Sequence, residues 1–177
     1  MKLLSDYIML FDNVMPVEIC NEIIQMYENT DSTAKTMYRE EGYTFERLEM
    51  DYNFCQGYAN KILPYFEHYL NKVGMTEMLG IQAFEGVRIN KYRKNSEDHF
   101  KTHIDSISAQ TAMRYLYCLL YLNDNNGNTE FPTLGITVKP KAGTMLMFPP
   151  LWLYPHKALN PTDNDKYVLM TNLQFKN

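Results

Sequence analysis

Three cysteines, one tryptophan and four histidines are all that the 177 residues contain of those types. The cysteines, Cys20, Cys55 and Cys118, are odd in number and far apart. That excludes a disulfide framework and a CxxC metal knuckle, and leaves thiols expected to lie buried in a reducing, cytoplasmic setting. Long apolar runs are missing too: nothing approaches the roughly 20 residues a spanning helix needs, so no membrane association is expected. The opening MKLLSDYIMLFDNV has its apolar stretch broken by Ser5 and Asp6, with no small-residue cleavage site after it, and does not read as a signal peptide. A basic excess is absent, with 17 Lys and Arg against 21 Asp and Glu and the two signs interspersed. This disfavours nucleic acid as a partner, since phosphate backbones select a basic stripe. Repeats and low-complexity segments are lacking, and oligomeric state is left open.

What is present points to one domain over residues 1–177. The chain is long enough to bury a core without covalent staples. Its 14 Tyr and 9 Phe favour strands, where aromatic rings fit a pleated surface. A short strand is expected over Tyr7 to Phe11. A helix is expected near 16–29, opened by Pro16 and striped by Ile19, Cys20, Ile23, Ile24 and Tyr27. Residues 30–49 are polar, without clear period, and read as a loop with at most a short strand. Helical spacing returns over 51–73 through Phe54, Tyr58, Ile62, Phe66, Tyr69 and Val73, with Pro64 expected to kink or split the element. Beyond Gly74, strand-like runs over 83–92, 113–122, 135–138, 144–148 and 167–175 alternate with turn sequences such as DNNGN, PKAG and NPTDND. The expectation is therefore an α+β, mainly β chain: helical support over 1–80, then an antiparallel sandwich or barrel over 81–177.

Within FKTHIDSIS, His103 and Asp105 are separated by one residue. On a strand such a pair projects to one side and can share a cation, although an HxD triplet equally fits a hydrogen-bonded pair on a sheet face. A third ligand must come from the remaining histidines. His68, in the second helical pattern, and His99, in the charged stretch KNSEDHF, read as ordinary surface and loop residues. His156, closing FPPLWLYPH after the strand-like GTMLMF, is the best candidate. Two imidazoles and a carboxylate leave adjoining coordination positions open, which suits ferrous iron, while ligand type alone does not choose iron over zinc or manganese. Lys166 opens KYVLMTNLQF, where alternation sets Lys166, Val168 and Met170 on one face and Tyr167, Leu169 and Thr171 on the other. A lysine entering a buried strand calls for an anion, unless it snorkels from an edge.

The ordered set HID, RYLYCLLYLN, NGNTEFP, VKPKAGTMLMF, His156 and Lys166, from Val87 to Leu173, resembles the prolyl 4-hydroxylase-like branch of the Fe(II)/2-oxoglutarate-dependent dioxygenases. The resemblance implies a double-stranded β-helix, or jelly roll, with supporting N-terminal helices, and FDNVMPVEICNEII is similar to the family's opening strand and helix. It implies that His103, Asp105 and His156 hold Fe(II) and form the catalytic centre. Lys166 would grip the distal carboxylate of the 2-oxoglutarate co-substrate, Tyr121 would share it, and Tyr92 would border the site. It further implies hydroxylation of an unactivated C–H, that of a prolyl residue in a peptide, with O2 consumed, succinate and CO2 released, and ascorbate as reductant. The same chemistry on a free amino acid or small metabolite, and a non-catalytic metal-binding jelly roll, are the alternatives. The chain departs from the family pattern at Phe100, where a tyrosine is common, at Asn128, where a glycine is, and in the compact PPLWLYP connection. Arg114 reads as structural, because its odd separation from Tyr121 places the two on opposite faces. Trp152 shares parity with His156 and is a candidate for the substrate entrance, with simple packing as the alternative. The polar stretches 30–49 and 93–102 are expected to supply loops that fold over an extended peptide.

Overall fold

Alternation of side chains along the strands organises the molecule into two apolar layers, one on each side of a single sheet. The computed structural model describes residues 3–79 and 83–175. In chain order these form β1 (Met9–Phe11), α1 (Val17–Asn29), β2 (Thr36–Glu40), β3 (Tyr43–Glu49), α2 (Tyr52–Val73), β4 (Ala83–Phe84), β5 (Arg88–Tyr92), β6 (His99–His103), β7 (Arg114–Tyr121), β8 (Thr129–Phe131), β9 (Ile136–Val138), β10 (Met145–Phe148), β11 (His156–Ala158) and β12 (Lys166–Gln174). The strands join in the order β1-β10-β7-β12-β5-β3-β6-β11-β8-β9, with β2 added to β3 and β4 to β12. The sheet curls back on itself. Phe131 of β8 and Phe148 of β10 are far apart in that order, yet their rings meet edge to face at 4.8 Å. The fold is the expected double-stranded β-helix.

Odd-numbered residues of β7 from Tyr117 onward and even-numbered residues of β12 face the inside of the curl. There Tyr117, Leu119, Tyr121, Val168 and Met170 pack with Phe45, Tyr92, Phe131 and Phe148. Their neighbours Leu116, Cys118, Leu120, Leu169 and Leu173 face the other way, against Cys20, Ile23 and Tyr27 of α1 and Tyr58, Ile62 and Phe66 of α2. The face assignment of Lys166, Val168 and Met170 is as expected from the sequence. The helix α2 starts where the Asp51 carboxylate accepts the Phe54 N–H at 2.9 Å and stops at Gly74, whose φ of 76° is left-handed. Pro64 does not split it. Pro64 and Asn60, whose carbonyl loses its intrahelical donor, both lie on the exposed side, where water replaces the bond and the buried stripe continues past the ring. Among the described residues no helix is long and apolar enough to cross a membrane.

The stretch 30–49 departs most from expectation. It is a β-hairpin, and β3 is no appendage: it lies between β5 and β6 in the middle of the sheet. The division into helical support over 1–80 and sheet over 81–177 is thereby crossed, and β1 crosses it again at the sheet's end. The strand was hidden because each of its faces carries a charged residue that the fold satisfies internally. Glu46 accepts the Tyr27 hydroxyl at 2.6 Å on the helix side, and Arg47 donates Nε–H to Asn90 Oδ1 at 2.8 Å on the inner side. Residues 93–102, also expected to be loop, enter β6 at His99.

Candidate metal centre

The register of the curled sheet creates the site. β6 ends on His103, β11 begins on His156, and the two residues are direct partners across the strand pair. Asp105 follows two residues later, past the strand's end, so the chain's turn rather than strand pleating brings its carboxylate round. One ligand atom from each of His103, Asp105 and His156 lies within 4.8 Å of the others. His103 Nε2 is 3.8 Å from Asp105 Oδ1, and His156 Nε2 is 3.4 Å from Asp105 Oδ2.

Both rings are oriented by their other nitrogen. His103 Nδ1–H donates to the Lys101 carbonyl at 2.8 Å and His156 Nδ1–H to that of Tyr154 at 3.2 Å, which leaves each Nε2 as a lone pair facing the carboxylate. Burial keeps both imidazoles neutral, lowering the pKa of His156 to about 4 and that of His103 below its usual value against the opposing pull of Asp105. Phe100 lies flat on the His103 ring, centroids 3.6 Å apart, and the Phe148 ring meets His156 edge to face at 4.7 Å. Asp105 Oδ2 is buried without a hydrogen-bond donor. Two lone pairs and an orphaned carboxylate oxygen aimed at one point are mutually repulsive unless a cation lies between them, so this donor set fits a divalent metal.

A cavity of about 380 Å³ opens beside the three residues. Lys166, at one end, is 1% exposed and is paired across the sheet with Tyr92. Its Nζ donates to the Gly127 carbonyl at 2.6 Å and sits 5.4 and 5.7 Å from the ring centres of Tyr92 and Tyr121. Among the described residues no carboxylate pairs with it, and burial alone pulls its pKa down to about 7. Gly127 cannot be larger here: a Cβ would stand 2.9 Å from the Leu159 carbonyl oxygen.

The remaining expected residues divide. Tyr92 lines the cavity. Tyr121 does not. It is wholly buried, its ring centre 5.7 Å from Lys166 Nζ, and it donates its hydroxyl to Thr129 Oγ1 at 2.8 Å, so that Thr129 rather than Tyr121 forms the cavity surface there. Arg114 corrects a parity inference. Leu173 of β12 pairs with Leu116, but Gln174 pairs with Arg114, skipping Tyr115. This bulge turns Tyr115 towards the helices and Arg114 into the cavity wall, where Arg114 donates to Glu85 and, through Nη1, to the Asp105 carbonyl at 3.3 Å. Trp152 is 73% exposed and away from the cavity, whereas Tyr154 is buried. His68 is exposed on α2 with its ring edge-on to Phe11, and His99 caps the Glu97 carbonyl; neither reaches the site. Reading from the sequence missed Thr129, Arg47, Arg88 and Asn90, all of which line the cavity. The period-2 pattern of VRINKY, which sets Arg88 and Asn90 on the face of Tyr92, was the available signal for two of them.

A family model described as the 2OG-Fe(II) oxygenase superfamily matches residues 87–174. Among curated protein sequences none matches the chain. Solved structures agree with the fold over nearly its whole length. A viral collagen prolyl hydroxylase from Paramecium bursaria Chlorella virus-1, in complex with 2OG, superposes with TM-score 0.75 and 18% identity, covering 96% of this chain and 97% of its own. A prolyl-4-hydroxylase from Pseudomonas putida gives 0.75 and 18%, covering 97% and 94%. A prolyl hydroxylase from Trichoplax adhaerens, in complex with a hypoxia inducible factor oxygen degradation domain peptide fragment, gives 0.73 and 15%, covering 96% and 84%.

Proposed function

The chain belongs to the 2OG-Fe(II) oxygenase superfamily, and from that premise we propose that it hydroxylates a prolyl residue in a peptide, with Fe(II) on His103, Asp105 and His156 and 2-oxoglutarate anchored at Lys166. The carrying observation is the pairing of two features in one cavity: a three-donor set with an orphaned carboxylate oxygen, and a buried lysine with no carboxylate partner among the described residues. A metal-only or inert jelly roll has use for the first and none for the second.

Bound iron supplies the hard chemistry: oxidative decarboxylation of 2-oxoglutarate to succinate and CO2, and transfer of one oxygen atom from O2 to an unactivated C–H. The chain's own groups position and shield. The Lys101 and Tyr154 carbonyls lock the imidazole tautomers, and the Phe100 ring holds the plane of His103. Arg114, itself fixed by Glu85, holds the backbone at Asp105. Lys166 gives the far carboxylate of 2-oxoglutarate a charge-assisted donor, in a cavity that Thr129 also lines. Arrival of that anion favours the protonated lysine, which burial otherwise disfavours. Tyr38, Tyr43 and Phe45, with the Phe100 ring tilted against that of Tyr43 at 4.8 Å, line one wall of the cavity with aromatic rings.

A peptide target is supported by the peptide-bound prolyl hydroxylase among the structures with this fold and by the hairpin β2–β3, whose Tyr38, Tyr43, Phe45 and Arg47 line the cavity. Three free cysteines are in keeping with a reducing, cytoplasmic setting. The test is succinate release from 2-oxoglutarate with Fe(II) and ascorbate, then mass spectrometry of a panel of prolyl peptides. The expected result is stimulated succinate release and a gain of about 16 Da, one inserted oxygen. Succinate release stimulated only by a free amino acid or metabolite would overturn the prolyl assignment while leaving the oxygenase.

A further inference from the structure

The end of the cavity away from Lys166 is also cationic. On its inner face β5 presents Tyr92, Asn90 and Arg88 in succession, and β3 lays Arg47 opposite Asn90 and one diagonal step from Arg88. Arg47 is held rigidly: Nε–H donates to Asn90 Oδ1 at 2.8 Å, and its guanidinium lies 5.0 and 5.1 Å from the ring centres of Tyr38 and Phe45. Among the described residues its one ion-pair partner is Glu49 at 3.9 Å, whose side chain is 64% exposed. Arg88 is 9% exposed, donates Nη1–H to Glu85 Oε2 at 3.2 Å, and has a buried Nε–H without an acceptor. Glu85 is shared three ways, since Arg114 takes its other oxygen and Asn172 donates to the same one. Lys166, Arg47, Arg88 and Arg114 thus line the cavity with one carboxylate, Asp105, while Glu85 and the exposed Glu49 pair with the arginines without lining it. A ferrous ion and a 2-oxoglutarate dianion cancel each other, so filling the site with both leaves the excess of positive charge where it was.

We infer that Arg47 and Arg88, with Asn90 orienting the first, form a carboxylate-recognition subsite for the substrate, so that the hydroxylated molecule carries a carboxylate close to the reacting carbon. The inference rests on the oxygenase reading and adds the substrate's charge to it. The co-substrate is not the expected occupant. Arg88 lies four residues along β5 from Tyr92, the partner of Lys166, or about 13 Å at the rise of a strand, whereas 2-oxoglutarate spans roughly 6 Å between its carboxylates on ordinary bond lengths; Arg47, opposite Asn90, lies midway between the two ends, and the co-substrate affinity of its variants separates the two occupants. Two planar forks on adjacent strands suit a carboxylate, which accepts two parallel N–H bonds. The carboxylate has two possible sources, an acidic side chain next to the target residue or the α-carboxylate of a terminal or free amino acid.

Affinities measured by calorimetry, on protein loaded with Fe(II) and 2-oxoglutarate without oxygen, separate these. The probes are acid–amide pairs: a capped prolyl peptide with Asp beside proline against its Asn twin, a peptide ending in proline with free against amidated terminus, and free proline against prolinamide. At least one acid is expected to bind ten-fold or more tighter than its amide, and the pair that discriminates names the source. Loss of Arg88 removes one of the three groups that hold Glu85 and empties a buried position, which puts folding at risk, so Arg47→Gln, on the part-exposed hairpin, is the primary variant and Arg88→Lys the second. In Arg47→Gln the acid–amide ratio should fall towards one, and Arg47→Lys should retain part of it. Equal affinities within every pair on the unmodified protein, or an undiminished ratio in Arg47→Gln, would overturn the subsite. So would a loss of 2-oxoglutarate affinity in the variants as large as the loss of discrimination, because the arginines would then serve the co-substrate. Succinate release by the unmodified protein without any probe reports separately on the oxygenase reading.

Discussion

Each of Asp105 and Lys166 carries a buried group whose natural partner is a ligand, and each therefore makes a sharp prediction. Asp105→Ala should abolish metal binding and iron-dependent succinate formation while leaving the fold, because the core is apolar and formed without the ion. Metal content and a circular dichroism melt check the two halves, and a metal-loaded Asp105→Ala would remove the carboxylate from the ligand set. Lys166→Met should weaken 2-oxoglutarate binding by about 2–5 kcal/mol, the usual loss when one member of a buried charge pair is truncated, with metal affinity nearly unchanged. The lysine's pKa of about 7 adds a proton signature. At pH 8 the free site is mostly neutral, an arriving carboxylate favours the ammonium, and binding should take up a proton. Calorimetry in two buffers of different ionisation enthalpy measures that uptake, which Lys166→Met should abolish.

At the scale of the element, the hairpin β2–β3 is the part whose importance was least visible in advance. Phe45 is 2% exposed and stacks with Tyr38 and Phe100 at 5.1 and 5.7 Å. It joins the hairpin to the strand that carries His103. Phe45→Ala should cost about 3–5 kcal/mol of stability, the range for a large aromatic removed from a packed core. It should also loosen the Phe100–His103 stack, so metal affinity should fall along with the urea midpoint. A loop merely resting on the sheet would shift neither. The bulge at Tyr115 has the same character: one unpaired residue decides whether Arg114 faces the helices or the cavity, and no residue type announces it.

For the molecule as a whole, the cavity sets how stability depends on pH. The unfolded chain protonates His156 near 6.5 and the folded chain near 4, so the metal-free protein binds fewer protons than its unfolded form between these values and loses stability as pH falls through them. Lys166 acts in the same direction higher up. Unfolded it holds its proton to about 10.5 and folded only to about 7, so stability rises with pH across that window. The ligand-free protein should therefore melt at progressively higher temperature from pH 5 to pH 9, other groups being constant. Metal with 2-oxoglutarate should raise the melting temperature at every pH, through binding to the folded state alone. It should also flatten the alkaline arm, because the anion restores the lysine's proton. Thermal melts with and without both ligands test this, and a ligand-free curve falling from pH 7 to pH 9 would contradict the burial assigned to Lys166.

The chemistry-bearing residues were legible in the chain because their information is local. HID, a distant histidine after a strand, and a lysine in phase with Val168 and Met170 are patterns of residue type and period, and strand alternation is enough to say which way Lys166 points. The two helices were legible for the same reason, through apolar stripes. What only the tertiary structure decided was non-local. The direct pairing of His103 with His156 depends on register between strands separated by more than fifty residues of chain. The membership of β3 in the sheet depends on Tyr27 and Asn90 satisfying Glu46 and Arg47, whose charges had masked the period. The cover that Thr129 of β8 gives the Tyr121 hydroxyl of β7 joins strands that are not neighbours in the sheet, and the inward turn of Arg114 follows from a skipped pair in the β12 ladder. A period reports the face on which a side chain lies. It does not report which other strand supplies the partner, because that is settled by the summed packing and hydrogen bonding of the closed sheet, where a charge costs little if its counterpart arrives from elsewhere in the fold.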